Sequence, residues 1–431
     1  MYNGLMNDTS MFDIIDDEFK RQSDGLELIP SENYVSRDIL RALGSELTNK
    51  YAEGYPGRRY YGGQENTDKV ESLAIERAKT IFGADHANVQ PHSGAQANEA
   101  VYHSWLEPGD TVLAMDLSHG GHLTHGHPVT VLSRQYNFVR YRMSNIAHGT
   151  FDFDEIRKLA LLYRPKILLV GYSSYPRELD YSSFARIGNE VGALLVADIA
   201  HIAGLIAGGV LANPFDSGFH VLSSTTHKTL RGPRGGLILT KGHVSNPLRQ
   251  PEKSILNIPT LIDRTVFPGM QGGPLMNVIA AKGISFHEAL QPNFKVYART
   301  VVENSKALAS ELLEKGFQLV TRGTDNHMLL IDTIASLGID GAEAEKLLDA
   351  VGLNVNKNVI PDDLLPPFRP SGIRLGTPAV TTRGLRPKDM PLLAGWIDKT
   401  LRSKGKVSTL DNIRGQVREF VQAYPLPSIG L

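Results

Sequence analysis

The sequence predicts an α/β protein: a mostly parallel sheet between helices, with a smaller α+β domain following it. Two observations carry this. Short apolar runs at 111–115, 166–170, 193–197 and 236–239 alternate with helical patterns at 95–106, 154–163 and 182–191, the order that builds a parallel sheet covered on both faces. From about residue 283 the texture changes to a long helical run (284–315), strand-like 317–321 and 327–332, a helix at 341–351, a Pro-rich loop and helices at 387–402 and 410–423. The expected division is an N-terminal arm (1–35), a large domain (36–282) and a small C-terminal domain (283–431), since 431 residues exceed one compact core.

In chain order, residues 11–24 read as an amphipathic helix. The stretch 49–63, NKYAEGYPGRRYYGG, lacks an element signal and reads as a long loop, a type that is commonly functional. Periodicity through Val70, Leu73, Ala74, Ala78 and Ile81 predicts a helix over 67–82, ended by Gly83. The window 194–212 is the most apolar, but Asp198 and His201 interrupt it. A central Asp costs roughly 2.5–3.5 kcal/mol on membrane insertion, so it reads as a buried strand running into a loop.

The 45 basic and 46 acidic residues nearly cancel, which gives no electrostatic support for a nucleic-acid or membrane partner. The absence of cysteine excludes disulfides and thiolate metal sites and suits a reducing compartment. The acidic N-terminus lacks a basic n-region and an apolar h-region, so a cytoplasmic location is expected.

Residues 225–236, TTHKTLRGPRGG, place Lys228 between two apolar runs, beside Arg231, Arg234 and His227. Burial and cationic neighbours lower an amine's pKa and make it a nucleophile, and the commonest use is Schiff-base formation with a carbonyl such as that of pyridoxal phosphate. A basic surface loop is the competing reading. In VADIAHIAG, Asp198 ends a buried run with His201 three residues on; a pyridinium nitrogen would satisfy the carboxylate, as would a structural cap. VQPHSGAQAN (89–98) reads as strand, Ser-Gly turn and helix, either an anion cradle or an ordinary cap by Ser93. His119, His122, His125 and His127 cluster without the carboxylate or cysteine that would complete a metal site, so one of them lying over a flat cofactor is the better use. Arg374, in SGIRLGTPA, could grip a carboxylate with two parallel hydrogen bonds or form a surface ion pair. FPGMQGGP (267–274) suits an anion or a plain turn.

Taken together and in this order, KYAEGYPGRRYYGG, QPHSGAQAN, HGGHLTHG, DIAHIAGL, TTHKTLRGPRGG, FPGMQGGP, GTDNH and SGIRLGTPA resemble the serine hydroxymethyltransferases, from about residue 26 to the C-terminus. The resemblance implies the fold type I architecture of pyridoxal-phosphate enzymes and interconversion of serine and glycine with tetrahydrofolate as co-substrate. An aldolase or an α-methylserine hydroxymethyltransferase on the same scaffold is the runner-up. Position by position, it implies that Lys228 bonds the cofactor, Asp198 pairs with its ring nitrogen and His122 stacks on the ring. Ser93, Gly94, Ser173, His201 and His227 would bind or position the cofactor. Tyr51, Gly272 and Gly273 would reach its phosphate from a neighbouring subunit, in a homodimer or dimer of dimers with shared sites. Arg374 would hold the substrate carboxylate, with His201 nearby. Glu53, Tyr61 and Ser31 would handle the hydroxymethyl group, and Leu117, Gly121, Leu123 and Asn358 would line the folate site. Pro30, Ala95, His127 and Met270 depart from the family's usual residues, and 244–265 reads longer than usual.

Overall fold

In the computed structural model, which describes residues 8–242 and 257–428, seven strands form the central sheet. They are β1 (His86–Asn88), β2 (Thr111–Met115), β3 (Asn137–Tyr141), β4 (Ile167–Gly171), β5 (Leu194–Asp198), β6 (Val221–Thr225) and β7 (Gly236–Thr240). Their order is β1-β7-β6-β5-β4-β2-β3. All run parallel except β7, which is antiparallel to both neighbours.

The continuous apolar runs follow from burial on both faces. Leu113, Leu168, Leu195 and Leu222 point into one core, with Phe184 and Ile187 of helix Tyr181–Val191. The alternate residues Val112, Leu169, Val196 and Val221 enter the opposite core, with Val101, Tyr102 and Trp105 of helix Gly94–Trp105. A strand has period two, so burying both faces requires apolar residues at every position. Strand β3 escaped the sequence reading. It is an edge strand whose Phe138, Val139 and Arg140 are only half-buried, and its NFVRY sequence lacks a sustained apolar run. The loop expected after β5 contains a short helix, Ala203–Ala207.

The helix expected over 67–82 is Glu65–Phe82, closed by Gly83 with φ +63. The long run expected over 284–315 is two helices, Met276–Ala289 and Pro292–Glu314. Pro292 lacks an N–H and is accepted in a first turn, so it starts the second helix. The expected domain limit at 282/283 falls inside the first of these helices. The change of core lies later: Phe294, Tyr297, Val301 and Val302 pack with the large sheet, while Leu308 and Leu312 pack with the C-terminal core. Leu26 and Leu28, assigned to the arm, also belong to that C-terminal core, through a parallel pairing of Leu26–Glu27 with Leu353–Asn354.

The C-terminal sheet contains β8 (Gln318–Leu319), β9 (Met328–Asp332), β10 (Asn356–Asn358) and β11 (Gly372–Gly376), ordered β8-β9-β11-β10 and antiparallel throughout. Helices Gly341–Asp349, Met390–Arg402 and Val407–Val421 cover it. Of the segment 244–265, residues 244–256 lie outside the described residues. No described helix is long and apolar enough to cross a membrane.

Candidate active site

The carboxyl ends of β4, β5 and β6 are in register, with Gly171 opposite Asp198 and Asp198 opposite Ser223. Ligands of open α/β sheets collect beyond such ends. Here Asp198 terminates β5, Ser173 lies two residues past β4 and Lys228 three past β6.

Asp198 is buried at 7% exposure, and its carboxylate is fully engaged on one side. Oδ2 accepts from Asn98 Nδ2 at 2.9 Å and from His125 Nε2 at 3.1 Å; Oδ1 accepts from Ala200 N–H at 3.0 Å. Burial pushes the carboxyl pKa up, but the His125 and Asn98 bonds more than offset it and hold the group well below the usual carboxylate range. Asn98 is itself fixed, accepting from Ser223 Oγ at 2.5 Å and donating to Thr124 Oγ1 at 2.9 Å. Neither Asn98 nor the specific role of His125 was assigned from the sequence. Asn98 ends the QPHSGAQAN motif, and the HLTH spacing is the trace of His125: a 3₁₀ turn, Leu123–His125, brings the His125 ring back to the His122 backbone.

The four clustered histidines take separate tasks. His119 faces Asp362 at 3.0 Å, His122 Nδ1 meets Thr124 Oγ1 at 2.8 Å, His125 holds Asp198, and His127 Nδ1 accepts from Val129 N–H at 3.3 Å. Burial, then the neighbouring His125, lowers the His122 pKa to about 4, so its ring is neutral.

Lys228 is half-buried by residue, and its amine makes no hydrogen bond or ion pair among the described residues. Burial lowers its pKa to about 8; Asp198 opposes the shift, and Arg374 and Arg234 reinforce it. This corrects two expected neighbours. Arg231 turns away, its guanidinium 4.7 Å from the Tyr297 ring centroid. His227 is neutral, its pKa lowered to about 3 by burial and then by Arg234 and Lys228. The remote Arg374 does what Arg231 was expected to do.

Arg374 on β11 donates to Ser173 O at 2.5 Å and to Asn356 Oδ1 at 3.2 Å. Among the described residues no carboxylate pairs with it. Burial alone draws its pKa down to about 10. A desolvated guanidinium without an acid fits a substrate carboxylate as its missing partner. His201 is buried and stacks on His327 with centroids 5.4 Å apart. Ser31 sits in the 28–33 segment, anchored by Gly376 N–H to Leu28 O at 2.7 Å and by Asn33 Nδ2 to Lys228 O at 3.0 Å. Pro30 packs at Gly376, where an added Cβ would lie 2.6 Å from the proline ring.

Ser93 caps helix Gly94–Trp105, accepting from Gln96 N–H at 3.2 Å. A Cβ at Gly94 would stand 2.5 Å from Thr225 Cγ2, so only glycine lets this turn close on the end of β6. His92 Nε2 and His227 Nδ1 are buried without hydrogen-bond partners among the described residues. These orphaned nitrogens, the helix N-terminus, the unpartnered amine of Lys228 and the low-pKa Asp198 fit the phosphate, the aldehyde and the ring nitrogen of pyridoxal phosphate.

A second group of expected site residues lies apart. Tyr51 OH contacts Glu53 Oε1 at 3.3 Å, and the Tyr51 and Tyr61 rings stand 5.1 Å apart, edge to face. Cβ atoms at Gly272 and Gly273 would approach Glu53 Oε1 to 3.1 Å and the Tyr51 ring to 3.3 Å. The loop is held by Arg59, buried against Asp68 (2.8 Å) and Glu71 (2.6 Å) and donating to Ala52 O and Gly54 O. Tyr51 is 55% and Tyr61 49% exposed. No hydrogen bond, ion pair or ring contact among the described residues joins Tyr51, Glu53 or Tyr61 to Lys228, Asp198 or Arg374.

Of the expected folate residues, Gly121 is buried, Leu117 half-buried and Leu123 exposed, all on the turns after β2; Asn358 ends β10.

The comparisons agree with this geometry. The serine hydroxymethyltransferase family model matches residues 5–397. The serine hydroxymethyltransferase of Koribacter versatilis (strain Ellin345) is 49% identical over 419 residues, covering 97% of this chain and 94% of that protein. Matched across nearly its whole length by the family model and by this relative, the chain belongs to the serine hydroxymethyltransferase family.

Proposed function

We propose residue roles for the family's reaction, the reversible conversion of serine and tetrahydrofolate to glycine and 5,10-methylenetetrahydrofolate with pyridoxal phosphate as cofactor. When bound, the cofactor supplies an aldehyde for an amine and a protonated ring that withdraws electrons from Cα. Lys228 is its covalent anchor; a pKa near 8 leaves a useful fraction of the amine neutral, and so nucleophilic, near neutral pH. Asp198, held ionised by His125 and Asn98, keeps the proton on the ring nitrogen. His122 offers a flat neutral imidazole. Ser93, Gly94, His227 and Ser173 would position the phosphate and ring, and His201 would help to hold the cofactor and the substrate. Arg374 grips the carboxylate of serine and so sets the direction of its Cα–Cβ bond. Glu53, with Tyr61 and Ser31, exchanges a proton with the hydroxymethyl oxygen. Leu117, Gly121, Leu123 and Asn358 border the folate.

The observation that carries this reading is the unpartnered Lys228 amine in a site that also holds Asp198 and Arg374. Borohydride reduction of the cofactor-loaded enzyme followed by peptide mapping tests it. Label on Lys228, and loss of the visible absorbance in Lys228→Ala, are the expected results; label on another lysine would sink the assignment.

The second group supports a shared site in a homodimer or dimer of dimers. Exposed Tyr51, Tyr61 and Gly272 and half-buried Glu53 and Gly273 form one cluster with no hydrogen bond, ion pair or ring contact to the Lys228 centre among the described residues, as a part offered to another subunit would. Helix Thr9–Asp24 buries none of its residues and exposes Met11, Phe12, Ile14, Ile15 and Phe19, a face suited to a second copy. The lack of cysteine favours the cytoplasm.

A further inference from the structure

Helix Met276–Ala289 carries a lysine that none of these roles uses. Lys282 is 1% exposed, and its amine donates to three backbone carbonyls: Val89 O at 2.7 Å, Gly236 O at 2.8 Å and Pro91 O at 3.1 Å. No carboxylate pairs with it among the described residues. Three acceptors require three N–H donors, which only the charged ammonium has. Burial draws the group's pKa down, to about 7, with Glu71 opposing.

The cage is built for this ammonium. A Cβ at Gly235 would lie 2.4 Å from Lys282 Cε and 2.9 Å from its Nζ, so a side chain there would collide with the lysine. The three carbonyls belong to two segments, the turn leading to Ser93 and the start of β7, which the ammonium ties together. Gly236 N–H also donates to Pro91 O at 2.9 Å, and Gly235 O accepts from Thr226 N–H at 3.1 Å, two residues before Lys228. The charge is felt beyond the cage. It contributes to lowering the pKa of both His92 and His227, which flank Ser93 and Lys228.

We propose that Lys282 is a positioning residue acting as a built-in monovalent cation: its ammonium occupies a carbonyl cage of the kind that would otherwise bind a potassium or ammonium ion, and so fixes the turn presenting Ser93 and Gly94 and adds positive potential beneath it. The positioning role rests on reading Ser93 and Gly94 as the phosphate cradle; the cation role does not.

The test uses Lys282→Ala, which empties the cage, and Lys282→Met, which fills the space without charge. Thermal midpoints of the cofactor-free proteins are measured in choline, potassium, ammonium and methylammonium chlorides. Cofactor dissociation constants are then measured by ultrafiltration in the same salts. Wild type should be indifferent to the cation. In choline, Lys282→Ala should melt lower and bind cofactor ~10- to 100-fold more weakly, the loss expected for hydrogen bonds from a charged group. A small cation should restore both in a saturable way, while Lys282→Met stays weak in every salt. Lys282→Met behaving as wild type, or a folded Lys282→Ala blind to all small cations, would overturn the proposal. Should Lys282→Ala not fold in choline, refolding in methylammonium chloride decides: recovery there supports the cation role, and no recovery overturns it. Restored stability without restored cofactor affinity would overturn the positioning role and leave the cage. Ser93→Ala tests the cradle separately.

Discussion

His125 donates its Nε2–H to Asp198 Oδ2 at 3.1 Å, and the direction of that bond is fixed from the other side of the ring, where Nδ1 accepts the His122 backbone N–H at 3.1 Å. Only one neutral tautomer satisfies both contacts. His125→Ala leaves a buried carboxylate oxygen short of a donor. A hydrogen bond to a charged group is worth roughly 1.5–3 kcal/mol, so cofactor affinity and kcat/KM should each fall ~10- to 100-fold. His125→Gln, which can still donate, should recover part of the loss. Unchanged affinity in a folded His125→Ala would show that Asn98 and Ala200 suffice.

Arg374→Ala should raise the KM for serine and the Kd for glycine far more than it weakens cofactor binding. Among the described residues the guanidinium has no acid partner, and it keeps hydrogen-bonding capacity beyond its bonds to Ser173 and Asn356. Losing one or two charge-assisted bonds costs roughly 1.5–3 kcal/mol each. Glycine titration monitored by absorbance checks this; unchanged glycine affinity would place the carboxylate elsewhere.

Stability should fall on mild acidification, and His327 should account for part of the fall. Burial, then Arg374 and Lys228, lowers its pKa to about 3, against about 6.5 in an unfolded chain. Above the unfolded value neither state is protonated. Below it the unfolded chain alone takes the proton, so stability declines as pH drops from 6.5 toward 3. Between pH 6.5 and 5, urea unfolding of the cofactor-free protein should show His327→Asn losing about 2 kcal/mol less than wild type. Parallel losses in the two proteins would mean that His327 is protonated in the native state.

Shared sites predict complementation. Lys228→Gln and Glu53→Gln are each expected to be inactive. Unfolded and refolded together, about half the dimers are mixed, and each mixed dimer has one site carrying both lesions and one carrying neither. Serine cleavage dependent on tetrahydrofolate should therefore return to about a quarter of that of refolded wild type. No recovery, with mixed dimers confirmed by tagged pull-down, would mean that Glu53 works within its own subunit.

The amino-acid order by itself determined the alternation of strands and helices, because a doubly covered sheet must be apolar at consecutive positions, and that pattern is local. It also singled out Lys228, Asp198 and Ser93, whose motifs lie at element ends, and Arg374 in the middle of β11. The tertiary structure decided what these groups meet. The Asp198 partners come from 73 and 100 residues away, and the clamp of Lys282 on Val89 O spans 193. The charge beside Lys228 is Arg374 rather than Arg231, since an adjacent side chain can turn to an aromatic face while a remote strand delivers its own. Helix Pro292–Glu314 serves two cores because its buried residues change neighbours partway along an unbroken apolar pattern. Periodicity records that a face is buried; which surface covers it depends on chain segments that meet only in three dimensions.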